Sequence, residues 1–342
     1  MLETIQTLCQ IPGISGWEDA VREQIRRQAQ QYADEILEDA NGNLLVFKRG
    51  RSKPTKTVML AAHMDEVGLV VKSVTDDGFL KFGFAGGIDR RVVIGKKVFL
   101  GDKAIPAVIG LKPIHLTTKE ERKTMPSEQD LYLDIGADSK EEALCMVQPG
   151  DFGVFEPQAL TLGGGALCQK ALDDRVGCGI MLTMLREDLP VDTWFAFTVQ
   201  EEIGCRGAFG AAFRLRPEIA IVVEGTTAAD APPAKEQQKI CAPGKGPVLV
   251  YMDGATCYDR QLYLLLQQVA QERSIPWQTK SKIAGGTDAQ AIQRTAAGCR
   301  VAAVSAAVRY IHSPSSVGNV QDFKHMKTLL MGTLEKLEEQ NA

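Results

Sequence analysis

Residues 57–63 read TVMLAAH, a nearly unbroken apolar run closed by a histidine. A strand open to water on one face alternates apolar with polar residues, so a continuous run predicts a strand covered on both faces. Three further runs repeat the arrangement. WFAFTV (194–199) leads to Glu201 and Glu202, IAIVV (219–223) ends at Glu224, and VAAVSAAVRYI (301–311) leads to His312. Between and after these runs, apolar spacing predicts helices over about Asp173 to Arg186, Gly207 to Arg214, Tyr258 to Glu272, Asp288 to Ala297 and Val320 to Glu339. Strands alternating with helices imply an α/β fold with a mostly parallel sheet and helices on both faces.

Upstream, Ser15-Gly16-Trp17-Glu18 has the pattern of a capping box, which predicts a helix to about Ala33 with Trp17, Val21, Ile25 and Tyr32 on one face. Ile36 to Asp39 and Asn43 to Lys48 flank Asn41-Gly42, a pair suited to a type I′ hairpin turn. From about Val67 to Gly163 the texture changes to short Val/Ile/Phe-rich runs broken by glycines, as in GFLKFGFAGGIDRRVVIGKKVFLGDKAIPAVIG (78–110). This predicts an inserted β domain at 67–163, with residues 1–66 and 164–342 forming the main domain. Thr117 to Asp130 is charged throughout and predicts a mobile, solvated surface loop.

The chain has 342 residues, 44% hydrophobic and 24% charged, with a net charge of −4. That size favours two domains, and the mixed charge argues against nucleic acid as a partner. The first residues lack a basic stretch followed by an apolar run, and no later stretch is apolar for the ~18 residues of a membrane span, so a cytoplasmic protein is expected. Eight cysteines are scattered singly, which predicts reduced, mostly buried thiols.

In open α/β sheets, ligands bind beyond the carboxyl ends of the strands. His63, Glu202, Glu224 and His312 would therefore converge, and imidazole with carboxylate is a metal-binding donor set. Asp65, two residues beyond His63, is placed to accept the free imidazole N–H and fix its tautomer. Adjacent glutamates cannot point the same way, so Glu201 and Glu202 suggest that one binds metal and the other handles protons. Asp173 and Asp174 enter a helix, where carboxylates also occur for purely structural reasons. Gly285-Gly286-Thr287-Asp288 offers a tight turn before a helix, suited to substrate contact at Gly286, Thr287 and Asp288 or simply to capping. His115 and His325 have no comparable companions.

The ordered motifs AAHMDEVG (61–68), KALDDRVG (170–177), VQEEIGCRGA (199–208), GGTDA (285–289) and RYIHSP (309–314) resemble the glutamyl and tetrahedral aminopeptidase family of co-catalytic metallopeptidases. In the insert, GGIDRRVVIGKKV, HLTTKEERKTMP and LYLDIGADSKEEA resemble that family's smaller domain. The resemblance implies a zinc-aminopeptidase-like fold with an inserted β-barrel that mediates assembly, commonly into a twelve-subunit tetrahedron. It implies peptide substrates, and two divalent ions, Zn²⁺ or Co²⁺ with Mn²⁺ as an alternative. Asp173 would bridge the metals, His63 and Glu224 would complete one site, and Glu202 and His312 the other, with Glu201 as general base. Two positions depart from the family pattern: Glu224 is more often aspartate there, and Ser316 is often glutamate. A glycoside hydrolase, which needs paired carboxylates without metal, and a non-catalytic metal-binding assembly protein are the competing readings.

Overall fold

The computed structural model describes residues 1–232 and 234–339. Its centre is an eight-stranded mixed sheet. In spatial order the strands are Glu35–Glu38, Leu44–Lys48, Thr193–Thr198, Val58–His63, Ile219–Thr227, Arg300–Val308, Val248–Leu249 and Gln278–Thr279. The middle four are parallel to one another, while Leu44–Lys48 and Val248–Leu249 join them antiparallel. Every residue of Val58–His63 is buried, as its unbroken apolar run requires.

Successive residues of one strand feed different cores. Leu60 and Ala62 join Phe195, Phe197, Ile221 and Val223 against the helices Leu2–Gln10, Leu172–Met184 and Val320–Glu339. Met59 and Ala61 instead face the helices Arg206–Leu215 and Ala289–Gln293 through Ala208, Ala211, Ala212 and Ile292. Alanines on that second face let the helices approach closely. The sheet is thus covered on both sides.

The insert folds into a closed six-stranded barrel with strand order Phe152–Phe155, Gly68–Val74, Leu80–Ala85, Leu131–Asp134, Ile105–Leu111, Lys97–Leu100. Phe152–Phe155 closes it by pairing with both Gly68–Val74 and Lys97–Leu100. Its own core includes Leu69, Val71, Phe82, Val98, Ile109 and Leu133. The segment 117–130 is largely exposed and carries 3₁₀ turns at Glu121–Lys123 and Glu128–Asp130.

Several local expectations give way. A helix forms at Leu2–Gln10, and the next spans only Asp19–Ala29. Ser15 does not cap it, because its hydroxyl donates to Asp65 Oδ2 at 2.6 Å, and Trp17 and Tyr32 lie outside the helix, half exposed. The hairpin loop is not type I′. Only Gly42 has positive φ, and its N–H donates to Asp39 O, which makes a longer turn fastened by the Asp39 carboxylate on the N–H groups of Asn41 and Asn43. The helix expected over Asp288 to Ala297 is the short Ala289–Gln293.

Candidate active site

The C-terminal ends of the parallel strands open into a cleft of about 400 Å³ lined by His63, Asp173, Glu201, Glu224 and His312. Glu202 lines a small adjoining hollow with Asp173 and His312. Asp173 stands between the histidines. Its Oδ1 lies 3.6 Å from His63 Nε2 and its Oδ2 lies 3.4 Å from His312 Nε2. Oδ1 also accepts the Gly225 N–H at 3.0 Å, and a Cβ at Gly225 would strike that carboxylate at 2.8 Å, so glycine is required for the approach. His312 Nε2 lies 3.2 Å from Glu202 Oε2. The donor atoms of His63, Asp173 and Glu202 all lie within 4.8 Å of one another.

Asp65 ties the strand ends together. Its carboxylate accepts the N–H groups of Glu201 at 3.0 Å and Glu202 at 3.1 Å as well as the Ser15 hydroxyl. His63 Nδ1 meets the Asp65 backbone carbonyl at 3.1 Å and the carboxylate at 3.4 Å. The backbone therefore shares in fixing the imidazole so that Nε2 faces Asp173. His312 is fixed in the same way, with Nδ1 3.0 Å from Gly87 O. That carbonyl follows the barrel strand Leu80–Ala85, so the insert supports the site.

Burial and the close charge pairs pull the titrating groups of the site in different directions. Burial opposes charge on both histidines and is the largest single influence, yet the hydrogen bond to Asp173 together with the other carboxylates around each ring outweighs it: His63 lies well above the ordinary imidazole value and His312 is pushed up to about 9. Burial would raise the Asp173 carboxyl, but the histidines hold it far below its usual range. Glu202, by contrast, is pushed up to about 8 by burial, and Glu201 and Glu224 are raised for the same reason. Glu202 Oε1 and Glu224 Oε2 are buried without a hydrogen-bond partner. Orphaned carboxylate oxygens beside imidazole nitrogens are what a divalent cation would satisfy, so the donor set fits a metal.

Glu201 and Glu202 divide as adjacent residues must, Glu201 toward the cleft and Glu202 toward His312. Gly285 and Gly286 line the cleft. Thr287 and Asp288 are buried behind it: Thr287 Oγ1 accepts the Ala289 N–H, and Asp288 accepts from the Thr198 hydroxyl. Ser316 is buried and donates to Tyr310 O.

Residues 42–329 match the M42 glutamyl aminopeptidase family. This chain belongs to that family. An Acetivibrio thermocellus relative is 37% identical over 333 residues, covering 97% of each chain. The lysyl aminopeptidase of Pyrococcus furiosus is 32% identical over 346 residues, covering 98% of this chain and 97% of its own. Among solved structures, the Pyrococcus horikoshii TET1 peptidase, described as assembling into a tetrahedron or a large octahedral shell, superposes with a TM-score of 0.85 at 34% identity, covering 97% of this chain and 98% of its own. The function class of this M42 chain is therefore that of an aminopeptidase, in a metal-dependent family.

Two contributors to the M42 site, the Gly87 carbonyl and Lys280, escaped the sequence reading, and a third, Cys205, was read there only as a buried thiol. The Gly87 carbonyl carries no side-chain signal. Cys205 donates its thiol to Glu201 Oε1 at 3.3 Å, a contact four residues back across a tight turn. Lys280, which follows the short strand Gln278–Thr279, lines the cleft.

Proposed function

We propose that this M42 member removes N-terminal residues from peptides using two divalent metals held by His63, Asp173, Glu202, Glu224 and His312, with Glu201 as general base. The division of the two Asp173 oxygens between two histidines carries this reading, because it is the arrangement a bridging carboxylate needs. Bound there, the metals would acidify a water and polarise the scissile carbonyl. Mixed imidazole and carboxylate donors suit Zn²⁺, Co²⁺ or Mn²⁺. Glu201 faces the cleft with its carboxyl raised by burial, so it is poised to take the proton of the attacking water and deliver it to the departing amine. Asp65 orients both His63 and the Glu201–Glu202 backbone. The concentration of carboxylates at this end of the cleft favours the free ammonium of a peptide's first residue.

Lys280 gives the cleft a preference. It is the only lysine or arginine among the described residues lining it, is 8% exposed, and donates to Ala284 O at 2.8 Å, leaving further N–H donors. An acidic first side chain would complete them. The tetrahedral assembly described for the TET1 relative and the dodecamer of a related TET1 structure support a homo-oligomer, and we take the barrel as its contact and the cytoplasm as its compartment.

The test is turnover of a panel of aminoacyl chromogenic substrates by protein stripped with chelator and reloaded with each metal. Activity lost on stripping, restored on reloading and greatest on glutamyl or aspartyl substrates is expected. Lys280→Met should abolish that preference while leaving leucyl substrates cleaved. Inactivity on the whole panel with metal bound overturns the reading, as does hydrolysis of a glucan that survives chelation.

A further inference from the structure

The turn after the strand Thr193–Thr198 folds back on itself. The N–H groups of Gly204 and Cys205 both donate to Glu201 O at 2.9 Å, and Gly207 N–H donates to Val199 O. Asn43 locks the turn from outside, accepting the Val199 N–H at 3.0 Å and donating to Gly207 O at 2.8 Å. The consequence is a buried thiol beneath a carboxylate: Cys205 Sγ lies 3.3 Å from Glu201 Oε1. On its far side Gln290 Nε2, from the helix Ala289–Gln293, donates to the same sulfur at 3.1 Å.

The directions of these bonds are consistent. Burial, with Asp288 and Glu201 nearby, keeps the thiol protonated, so it is a donor to Glu201. The Gln290 amide occupies the sulfur's acceptor side. A relay of amide, thiol and carboxylate thus binds one oxygen of Glu201, a residue that lines the cleft. Unlike Glu202, Glu201 has no histidine among the described residues within ion-pair distance to hold its rotamer.

We propose that Cys205 is a positioning residue for Glu201, holding the general base by a thiol hydrogen bond that Gln290 supports. The proposal rests on the reading of Glu201 given above.

Cys205 has a left-handed φ of 54°, and alanine or serine keeps its Cβ, so the turn is equally burdened in both variants. In Cys205→Ala, kcat on an aminoacyl substrate should fall about five-fold, the effect of losing one ordinary hydrogen bond, with KM and bound metal unchanged. Cys205→Ser, whose hydroxyl still donates, should recover most of it, and Gln290→Leu added to Cys205→Ala should cost nothing further. Crystal structures should show the Glu201 carboxylate displaced by more than about 1 Å, beyond ordinary side-chain fluctuation, in the alanine variant and restored in the serine variant. A Glu201 carboxylate unmoved in Cys205→Ala overturns the inference, as does a kcat loss that serine fails to rescue. Full turnover by Glu201→Gln would instead sink the general-base reading, while the displacement of Glu201 still decides the role of Cys205.

Discussion

The barrel and the sheet spend charge in opposite ways. Barrel ion pairs lie at its surface: Lys72 with Glu128, Lys97 with Glu156 and Lys112 with Glu121. Beneath the sheet's strand ends, Lys170, Arg175 and Glu66 are buried together, and Asp65, Asp174, Glu224 and Asp288 are buried nearby. Such groups lose hydration worth several kcal/mol each, so they persist where function or a dense hydrogen-bond network demands them. The barrel is held by its strand ladder and apolar core with its charges left at the surface, whereas the site-bearing end of the sheet is held by polar groups that depend on one another. Substitutions should therefore hurt very differently in the two regions.

The largest effect should come from Glu201→Gln, which preserves shape while removing the base. Turnover should fall by roughly 10² to 10⁴ fold, the usual worth of a positioned general base, with metal content by elemental analysis unchanged. Undiminished turnover would show that charge at this strand end serves structure and not chemistry.

Next comes stability. Glu66 accepts Lys170 Nζ at 2.5 and 2.7 Å, and Arg175 reaches it at 3.5 Å while donating to the carbonyls of Leu8, Ile11 and Gly13. Glu66→Gln strands two buried cations and should cost about 3 to 5 kcal/mol in denaturant unfolding. Burial already lowers the Lys170 ammonium, so loss of its proton caps the damage.

A pH experiment sharpens the same contrast at smaller scale. Glu18 accepts the N–H groups of Gly16 and Gln200, and burial pushes its carboxyl up to about 7 against an ordinary 4.5. Because the folded value is the higher one, folding favours the protonated form. The contribution is complete below pH 4.5 and disappears as pH rises through 7. Glu18→Gln keeps an acceptor for both N–H groups, so its melting temperature should fall less than wild type between pH 5 and 8. The gain should be roughly 1 to 3 kcal/mol at the upper end. Parallel curves for the two proteins would contradict the burial cost.

How far the sequence foretold this molecule follows the same division. Parallel strands are legible because burial on both faces writes an unbroken apolar run, as at 58–63, and metal-type side chains at their ends stand out against it. The cleft brings His63, Asp173, Glu224 and His312 together with Glu201, residues scattered from position 63 to position 312 of the chain. Barrel strands are legible as segments, but closure depends on Phe152–Phe155 pairing on both edges, which no local pattern encodes. The buried Lys170–Glu66–Arg175 group was invisible because charged residues in isolation read as solvent-facing. Ser15 misled for the opposite reason: a local capping pattern lost its hydroxyl to Asp65, fifty positions away. Lys280 and the Gly87 carbonyl became visible only once loops from different regions were placed around one cleft.

The smallest effect should come from the barrel itself. Lys72 Nζ sits 3.1 Å from Glu128 Oε1, joining the strand Gly68–Val74 to the 3₁₀ turn Glu128–Asp130, and both side chains are well exposed, at 57% and 37%. Water screens such a pair, and ordering two long side chains offsets most of the attraction. Lys72→Ala should therefore change unfolding free energy by no more than about 0.5 kcal/mol, and by less in 1 M salt, where the Debye length shrinks to about 3 Å. The apolar stem of Lys72 also lies near Gly83, so a small salt-independent loss from packing would remain compatible with that figure. A salt-sensitive loss as large as that of Glu66→Gln would mean that electrostatics holds the barrel wall too, and the division between the two regions would fail.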